Sequence, residues 1–198
     1  MHDKQKDRPD IRGLETDAYQ QSGFFTAEQA HKHGVSRQLL NHHLRQGRFE
    51  RVRRGLYRVQ GFPRSQYDDI RENWMAVGMD KAVISHESAL RLLELSDNIP
   101  DEVHLLVPRR YRGLRRPPGV VLHTHSDDEK VAMTWGDAMP VTAPARTLVD
   151  VADRLQPEQA EMAARQALRQ GLLTRRQLEQ EAVRQGKTRV IPILLPDE

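Results

Sequence analysis

The sequence contains no cysteine and few aromatic residues, which make up 5% of the chain. Without cysteine there are no disulfide bonds or thiolate zinc sites, and the composition suits a reducing compartment. No apolar run reaches the roughly 18 residues of a membrane-spanning helix, and the polar N-terminus lacks the apolar segment of a signal peptide. We therefore expect a cytoplasmic protein that makes no membrane contact, with a core built mainly from leucine, valine and alanine.

Positive and negative charges are unevenly distributed, although the formal net charge is only +3. Residues 36–64 contain eight arginines and one glutamate. The next stretch, residues 65–105, contains three basic and nine acidic residues, and residues 106–125 contain five arginines and no acid. The first change of sign predicts a domain boundary near residues 61–63, and the first basic block favours an anionic partner.

Residues 25–59 show the pattern of two short helices, a tight turn and a basic hairpin. Thr26 and Gln29 have the spacing of a capping box, in which each side chain satisfies a backbone N–H group. Gly34 then provides a turn that needs a positive φ. Together with the hairpin, this order predicts a winged helix-turn-helix that docks on duplex DNA.

The second helix of this motif is predicted at residues 37–46. Ser36 is a favourable N-cap, and Gly47 suits the position after the last turn. Leu40 and Leu44 lie one turn apart and share the buried face. The opposite face presents side-chain types that read base edges in the major groove. The predicted DNA-reading residues are Arg37, Gln38, Asn41, His42 and Arg45, with Ser36 at the helix N-terminus, where a phosphate can bind.

The wing is predicted as strands at residues 49–53 and 56–59, joined by a turn at Arg54 and Gly55. Apolar and basic residues alternate along both strands, so one face can pack while the other presents guanidinium groups. Such groups hold the DNA backbone without reading its sequence. The predicted backbone contacts are Arg48, Arg51, Arg53, Arg54 and Arg58.

The fold class is predicted as α+β, with the winged helix-turn-helix at residues 14–61. A mixed domain follows at residues 65–186, where helices and strands do not alternate as in βαβ units. Within it, strands at residues 103–107 and 120–125 could form a hairpin. Flexible tails are predicted at residues 1–13 and 187–198.

An arginine-rich loop separates those two strands. Its sequence, PRRYRGLRRPPG, is too rich in arginine, proline and glycine for regular structure. Three roles stay open: contact with DNA, contact with an acidic partner protein, and a solvated surface. The arginines concerned are Arg109, Arg110, Arg112, Arg115 and Arg116.

Two chemical alternatives arise from residues 100–130. His123 and His125 point to the same side of a strand and, with Asp127 and Asp128, have residue types that bind metals. A surface strand that happens to carry histidines explains them equally well, and we predict no metal and no cofactor.

A nuclease pattern can also be traced through part of this region. Pro100-Asp101 followed by Asp128-x-Lys130 formally matches the PD…(D/E)xK arrangement, in which two carboxylates hold Mg²⁺ and lysine assists water. The pattern is short, and its second half lies in a predicted loop rather than a strand. A Mg²⁺-dependent nuclease is therefore kept as the less favoured alternative.

Four segments of the chain resemble the AbiEi family of antitoxins from bacterial type IV toxin–antitoxin systems. They are GFFTAEQAHKHGVSRQLLNHHLRQGRFERVRRGLYRV, VISHESALRLLEL, VHLLVPRRYRG and MPVTAPARTLVDVAD, which together cover most of residues 23–153. The resemblance implies a winged helix that binds inverted repeats in operator DNA and represses its own operon. It also implies a C-terminal domain that counters a nucleotidyltransferase-like toxin, and no catalysis.

The partners expected from this resemblance are double-stranded operator DNA, the toxin and a second copy of the chain on DNA. A stand-alone winged-helix transcriptional regulator without a toxin stays open as the alternative, because winged helices serve many regulators.

Overall fold

The structure is a computed structural model that describes residues 8–127, 131–135 and 139–196. The chain divides into two compact units, the first running to Ala76 and the second beginning at Val77. Both units combine helices with a sheet, so the predicted α+β class is confirmed. The division falls later than the boundary expected near residues 61–63, because the helix after the wing groups with the first unit.

The first unit has the element order of a winged helix-turn-helix. A capped helix, a strand and two further helices precede a hairpin, and one more helix follows it. The elements are α1 (Ile11–Tyr19), β1 (Phe24–Thr26), α2 (Ala27–Lys32), α3 (Arg37–Arg45), β2 (Phe49–Arg53), β3 (Leu56–Val59) and α4 (Asp68–Val77).

The predicted local signals at the start of the motif are present. Thr26 accepts the backbone N–H of Gln29 at 3.2 Å, and the Gln29 side chain accepts the Thr26 N–H at 2.8 Å. Gly34 adopts a φ of +71° in the turn between α2 and α3. These bonds satisfy N–H groups that a helix start otherwise leaves without partners, so the position of α2 follows from a few neighbouring residues.

The core of the first unit lies between its three N-terminal helices and its sheet. Phe25 and Phe49 meet edge to face with ring centroids 4.8 Å apart, an arrangement that aromatic pairs prefer. Leu14 from α1, Ala30 from α2 and Leu40 from α3 are buried in the same cluster. The close approach of α2 therefore depends on the small side chain of Ala30.

Strand β1 was not predicted from the sequence. It pairs antiparallel with β3, so that the sheet order is β1-β3-β2 and β3 is the central strand. Three residues are too few to show an alternating pattern, and the strand is defined by pairing with residues thirty or more positions away. Because β3 is central, it has a paired strand on each side. Arg58, which lies on β3, is buried.

The second unit contains a five-stranded sheet with helices packed around it. Its elements are β4 (Val83–Ile84), α5 (His86–Leu92), β5 (Val103–Pro108), β6 (Val120–His125), β7 (Ala132–Trp135), β8 (Met139–Thr142), α6 (Pro144–Val151), α7 (Pro157–Arg169), α8 (Arg175–Arg184) and α9 (Ile191–Leu194), with 3₁₀ turns at Arg109–Tyr111 and Thr188–Val190. A capping box formed by Thr174 and Gln177 starts α8.

The strand order of this sheet is β6-β5-β4-β8-β7. Strands β5 and β6 pair in parallel, from Val103 beside Val120 to Pro108 beside His125. The expected hairpin is therefore wrong. A parallel pair needs a connection that crosses from one end of the strands to the other, and the arginine-rich loop provides that crossing.

The end of the chain is more ordered than the predicted flexible tail at residues 187–198. Val190 and Leu194 are fully buried, and Leu195 is nearly so. These three apolar side chains follow α8 and pack as a 3₁₀ turn and the short helix α9. At the other end, Asp10 caps α1 by accepting the Gly13 N–H at 2.8 Å.

None of the helices within the described part of the chain is long and apolar enough to cross a membrane.

Candidate DNA interface

Helix α3 is held by its cap and by one apolar face. The Ser36 hydroxyl accepts the backbone N–H of Leu39 at 3.2 Å, as predicted for an N-cap. Leu40 is buried, and Leu39 and Leu44 are partly buried against the same core. The spacing of these leucines turns the remaining side chains of α3 away from the core. The hydroxyl of Ser36 is engaged in this cap, although the residue itself is exposed.

The outward face of α3 carries all five of the predicted DNA-reading residues. Each of them is exposed. Among the residues that the structure describes, no hydrogen bond or ion pair engages the side chains of Arg37, Gln38, Asn41 or Arg45, while the ring of His42 meets that of His43. Exposed amide and guanidinium groups without protein partners are suited to pair with base edges.

His43, next to this face, has a structural role. Its ring centroid lies 5.5 Å from that of Phe49. Burial lowers the pKa of His43, and the nearby Arg48 guanidinium lowers it further. Both effects favour the neutral form of the His43 ring.

Arg48 holds α1 against the start of the wing. Its guanidinium donates to both carboxylate oxygens of Glu15, at 2.7 and 2.8 Å. Hydrogen bonding to Glu15 raises the pKa of Arg48. This bidentate geometry is the strongest form of such a pair. The positive charge of Arg48 is thus already paired with Glu15, a partner that sequence spacing does not reveal.

Arg51 and Arg54 are the wing arginines that remain exposed. Arg51 lies on β2, and Arg54 lies in the turn before Gly55, whose φ is +80°. Within the described ranges, neither guanidinium forms an ion pair. Both are therefore available to a DNA phosphate, and their contact with DNA stays a prediction.

Arg53, in contrast, contacts the helix that follows the wing. It donates to Glu72 through Nε at 2.7 Å and to the Asn73 amide oxygen at 3.1 Å. The guanidinium is only about a third exposed, at 29%. The predicted contact of Arg53 with the DNA backbone therefore competes with its hydrogen bonds to Glu72 and Asn73.

The assignment of Arg58 to the DNA backbone is wrong, because its side chain is 1% exposed. The guanidinium lies 3.0 Å from Asp68 and donates to the Pro63 carbonyl at 2.8 Å. It also lies over the ring of Phe24 at 4.9 Å. The alternation along β3 correctly places the side chain of Arg58 on the other face of the sheet from those of Tyr57 and Val59. That face of the central strand is covered by α4 and by residues 60–65.

The arginine-rich loop begins with the 3₁₀ turn at Arg109–Tyr111. All five of its arginines are exposed. The guanidinium of Arg110 lies over the Tyr111 ring at 4.9 Å and 3.7 Å from Asp127, and the Arg110 N–H donates to the same carboxylate at 3.1 Å. The loop is a basic surface of the second unit, and its contact with DNA stays a prediction.

The two histidines of β6 do not lie on an open surface. His125 is buried, and its Nδ1 lies 2.6 Å from the Ser126 carbonyl oxygen. His123 stacks on His86 with centroids 3.5 Å apart, and its Nε2 lies 3.0 Å from Nδ1 of His104. Sequence reasoning missed His86 and His104. The cluster forms only because parallel pairing of β5 with β6 brings residues of three elements together.

The described residues contain no group of three or more histidine, aspartate or glutamate side chains arranged to hold a metal ion. Of the residues in the nuclease pattern, Asp101 precedes β5 and is exposed. Asp128 and Lys130 lie outside the described residues.

Comparison with known proteins supports the interpretation of the first unit as a winged helix-turn-helix. Residues 18–60 match the model of a family described as "Transcriptional regulator, AbiEi antitoxin". The match runs from the end of α1 through the wing, so the resemblance to this family is confirmed for the helix-turn-helix region. No curated protein matches the chain.

A similar fold is found in the crystal structure of the RV2827C protein from Mycobacterium tuberculosis. The superposition has a TM-score of 0.56 at 15% sequence identity and covers 92% of this chain and 75% of that one. At this identity the likeness concerns the fold, and it extends through both units.

Proposed function

We propose that the first unit binds operator DNA in a sequence-specific manner and that the chain represses its own operon. The observation that carries the proposal is the outward face of α3, where side chains able to read base edges are exposed and, among the described residues, have no hydrogen-bond or ion-pair partner. The match of residues 18–60 to a family of transcriptional regulators supports it. Helix α3 enters the major groove, while Arg51 and Arg54 hold the backbone beside it.

The same proposal assigns the reading of sequence to Arg37, Gln38, Asn41, His42 and Arg45. A guanidinium pairs with guanine and an amide with adenine. Ser36 contributes the N-terminus of α3, where backbone N–H groups favour a phosphate. Two copies bind an inverted repeat, and no catalytic step is involved.

The second unit is proposed to counter a nucleotidyltransferase-like toxin. Support comes from the family described for residues 18–60, whose name includes the antitoxin role. Because the match ends at the wing, a regulator without a toxin is the second candidate. The two differ in whether this protein counters the toxicity of a co-transcribed toxin.

The experiment separates DNA reading from toxin control. The double variant Arg37→Ala/Asn41→Ala removes two reading side chains without touching the core. We expect it to lose repression of a reporter under the chain's own upstream DNA, and to rescue growth from the co-expressed toxin as well as the wild type does. Arg165→Ala, which alters an exposed arginine of α7, is the control and should keep both functions.

Retained repression in the double variant would contradict the assignment of α3. Failure of the wild type to rescue growth would favour the regulator without a toxin. Band-shift titrations with the upstream DNA and a scrambled duplex confirm that lost repression reflects lost binding.

A further inference from the structure

A polar cavity of about 910 Å³ lies in the second unit, and none of its lining residues is among those proposed to read DNA. The ends of β5 and β6, the start of α5, helix α6 and the end of α8 form its walls. This volume lies within the range of sites that hold small molecules and cofactors. The DNA-binding proposal gives the cavity no role.

Positive charge exceeds negative charge along its walls. Four cationic side chains line the cavity, whereas Asp150 is the one carboxylate among its described lining residues. Arg184 is paired with Glu181, which lies outside the lining. The four cationic residues are Arg109, Arg146, Arg184 and Lys187.

The carboxylate of Asp150 is shared by two of these cationic side chains. Arg146, which is nearly buried, donates to it through Nε at 2.7 Å. Lys187 lies 3.4 Å from the other carboxylate oxygen and 3.5 Å from the Val149 carbonyl. Charge-assisted hydrogen bonds are usually 2.7–2.9 Å long, so Lys187 is held loosely and can turn toward a ligand.

Arg109 is exposed at the opening of the cavity. No carboxylate in the described part of the chain pairs with its guanidinium. Arg109 and Lys187 thus approach the cavity from the arginine-rich loop and from the segment after α8.

The inner wall is formed by neutral histidines. Burial lowers the pKa of His86 to about 2, and the His123 and His104 rings lower it further. Burial lowers the pKa of His123 to about 4, and the His104 ring lowers it further. Both rings therefore act as hydrogen-bonding groups at neutral pH. His86 also has a φ of +50°, which is rare for a residue with a side chain. Backbone strain of this kind is concentrated at functional sites.

We propose that this cavity binds a phosphorylated small molecule of nucleotide size. Lys187 and Arg109 contact the phosphates, Arg146 stays on Asp150 and fixes the carboxylate, and His123 offers a polar group from the wall. A small ligand fits better than a polynucleotide, because the cationic groups converge on one cavity instead of following an extended groove.

The test uses the full chain with inorganic pyrophosphate and with ADP, measured by isothermal titration calorimetry. Wild-type protein should bind both. Lys187→Gln should weaken binding by about tenfold or more, since it removes a charge-assisted contact. Arg175→Gln is the matched control, because Arg175 lies at the start of α8, is exposed and pairs with Glu179 outside the cavity. It should bind as the wild type does.

Arg109→Gln provides a second variant that is not expected to affect folding, because its side chain is exposed. It should also weaken binding while its melting temperature stays that of the wild type. Absence of binding to both ligands in the wild type, or unchanged binding in both cavity variants, would overturn the proposal. A single-stranded oligonucleotide that binds through Lys187 while pyrophosphate does not bind would also overturn it and assign the cavity to nucleic acid. The outcome does not depend on whether α3 reads an operator.

Discussion

The two compact units use polar side chains in opposite ways. In the first, the amide and guanidinium groups of α3 point to solvent, and no described residue pairs with Arg37, Gln38 or Asn41. In the second, His86, Arg146 and Asp150 are buried and bonded to one another or to neighbours around a cavity. The first arrangement suits a large, flat partner such as a duplex, and the second suits a small ligand.

Arg58 shows that this contrast is not a matter of composition. It belongs to the arginine-rich stretch that suggested DNA binding, yet it is as buried as the core leucines. Arg51, seven residues earlier, is exposed. Charge density along the chain therefore locates the basic unit but does not say which guanidinium groups meet a partner.

The largest effect is expected for Arg58→Met. It leaves the carboxylate of Asp68, which is 13% exposed, without its cation, and breaking a buried ion pair costs roughly 3–5 kcal/mol of unfolding free energy. Arg51→Met, at an exposed position, should change stability by about 0.5 kcal/mol or less. Urea denaturation followed by Trp74 fluorescence in a Trp135→Phe background measures both. Equal effects of the two substitutions would contradict the division between buried and exposed wing arginines.

The second prediction concerns the pH dependence of stability, which should arise from two buried histidines of the second unit. The pKa values of His86 and His123 lie near 2 and 4 in the folded state, below the unfolded value of about 6.5. Between roughly pH 6.5 and pH 4 the unfolded chain binds more protons, so stability falls as the pH falls. At pH 5 the loss should reach roughly 2–4 kcal/mol for the two histidines together.

Thermal unfolding at pH 7 and pH 5 checks this expectation. His123→Gln should reduce the shift in melting temperature between the two pH values. His31→Gln, which changes an exposed histidine of α2, should leave the shift as in the wild type. A shift that His123→Gln does not alter would assign the pH dependence to other groups.

Within the first unit, Asn41→Ala and Arg51→Ala should affect DNA binding differently. Loss of a bidentate base contact costs about 1–3 kcal/mol of discrimination, so Asn41→Ala should weaken operator binding more than binding to random DNA. Arg51→Ala should weaken both equally and reduce the salt dependence by about one counterion. Fluorescence anisotropy at several salt concentrations measures both. Equal losses on the two duplexes for Asn41→Ala would remove Asn41 from the reading face.

The smallest effect concerns Arg53 and its neighbour Arg54. Arg53→Ala removes a partly buried pair with Glu72 and should destabilise the first unit by about 1 kcal/mol. Because that guanidinium is engaged, the salt dependence of DNA binding should stay unchanged. Arg54→Ala should lower the salt dependence and leave stability unchanged. A reversed pattern would mean that DNA displaces Glu72 from Arg53.

Much of the first unit follows from short sequence patterns. The capping box at Thr26, the cap at Ser36 and the strands Phe49–Arg53 and Leu56–Val59 appear where the sequence predicts them. The exposure of the five side chains predicted to read DNA follows from the leucine spacing on α3. The DNA contacts of these residues stay predictions.

The predictions that failed depended on distant partners. Arg58 was assigned to DNA because its covering acid, Asp68, lies in a helix attributed to the other domain. Strands β5 and β6 were expected to form a hairpin. The sequence pattern of a strand does not show whether it pairs parallel or antiparallel with its neighbour. Residues 188–195 contain five apolar side chains, but Pro192 and Pro196 favoured a loose tail, so the burial of Val190 and Leu194 was not predicted.

The sequence alone determined the winged helix-turn-helix, the exposed face of α3 and the likeness to a regulator family, because caps, turns and helix faces depend on residues within one or two turns. Only the tertiary structure decided which arginines are exposed and which histidines meet. Those outcomes depend on side chains that separate elements bring together. A charged side chain is buried only where another element supplies a partner, and otherwise it stays exposed to water. The cavity of the second unit is the clearest case, since its walls come from five elements that no single stretch of sequence connects.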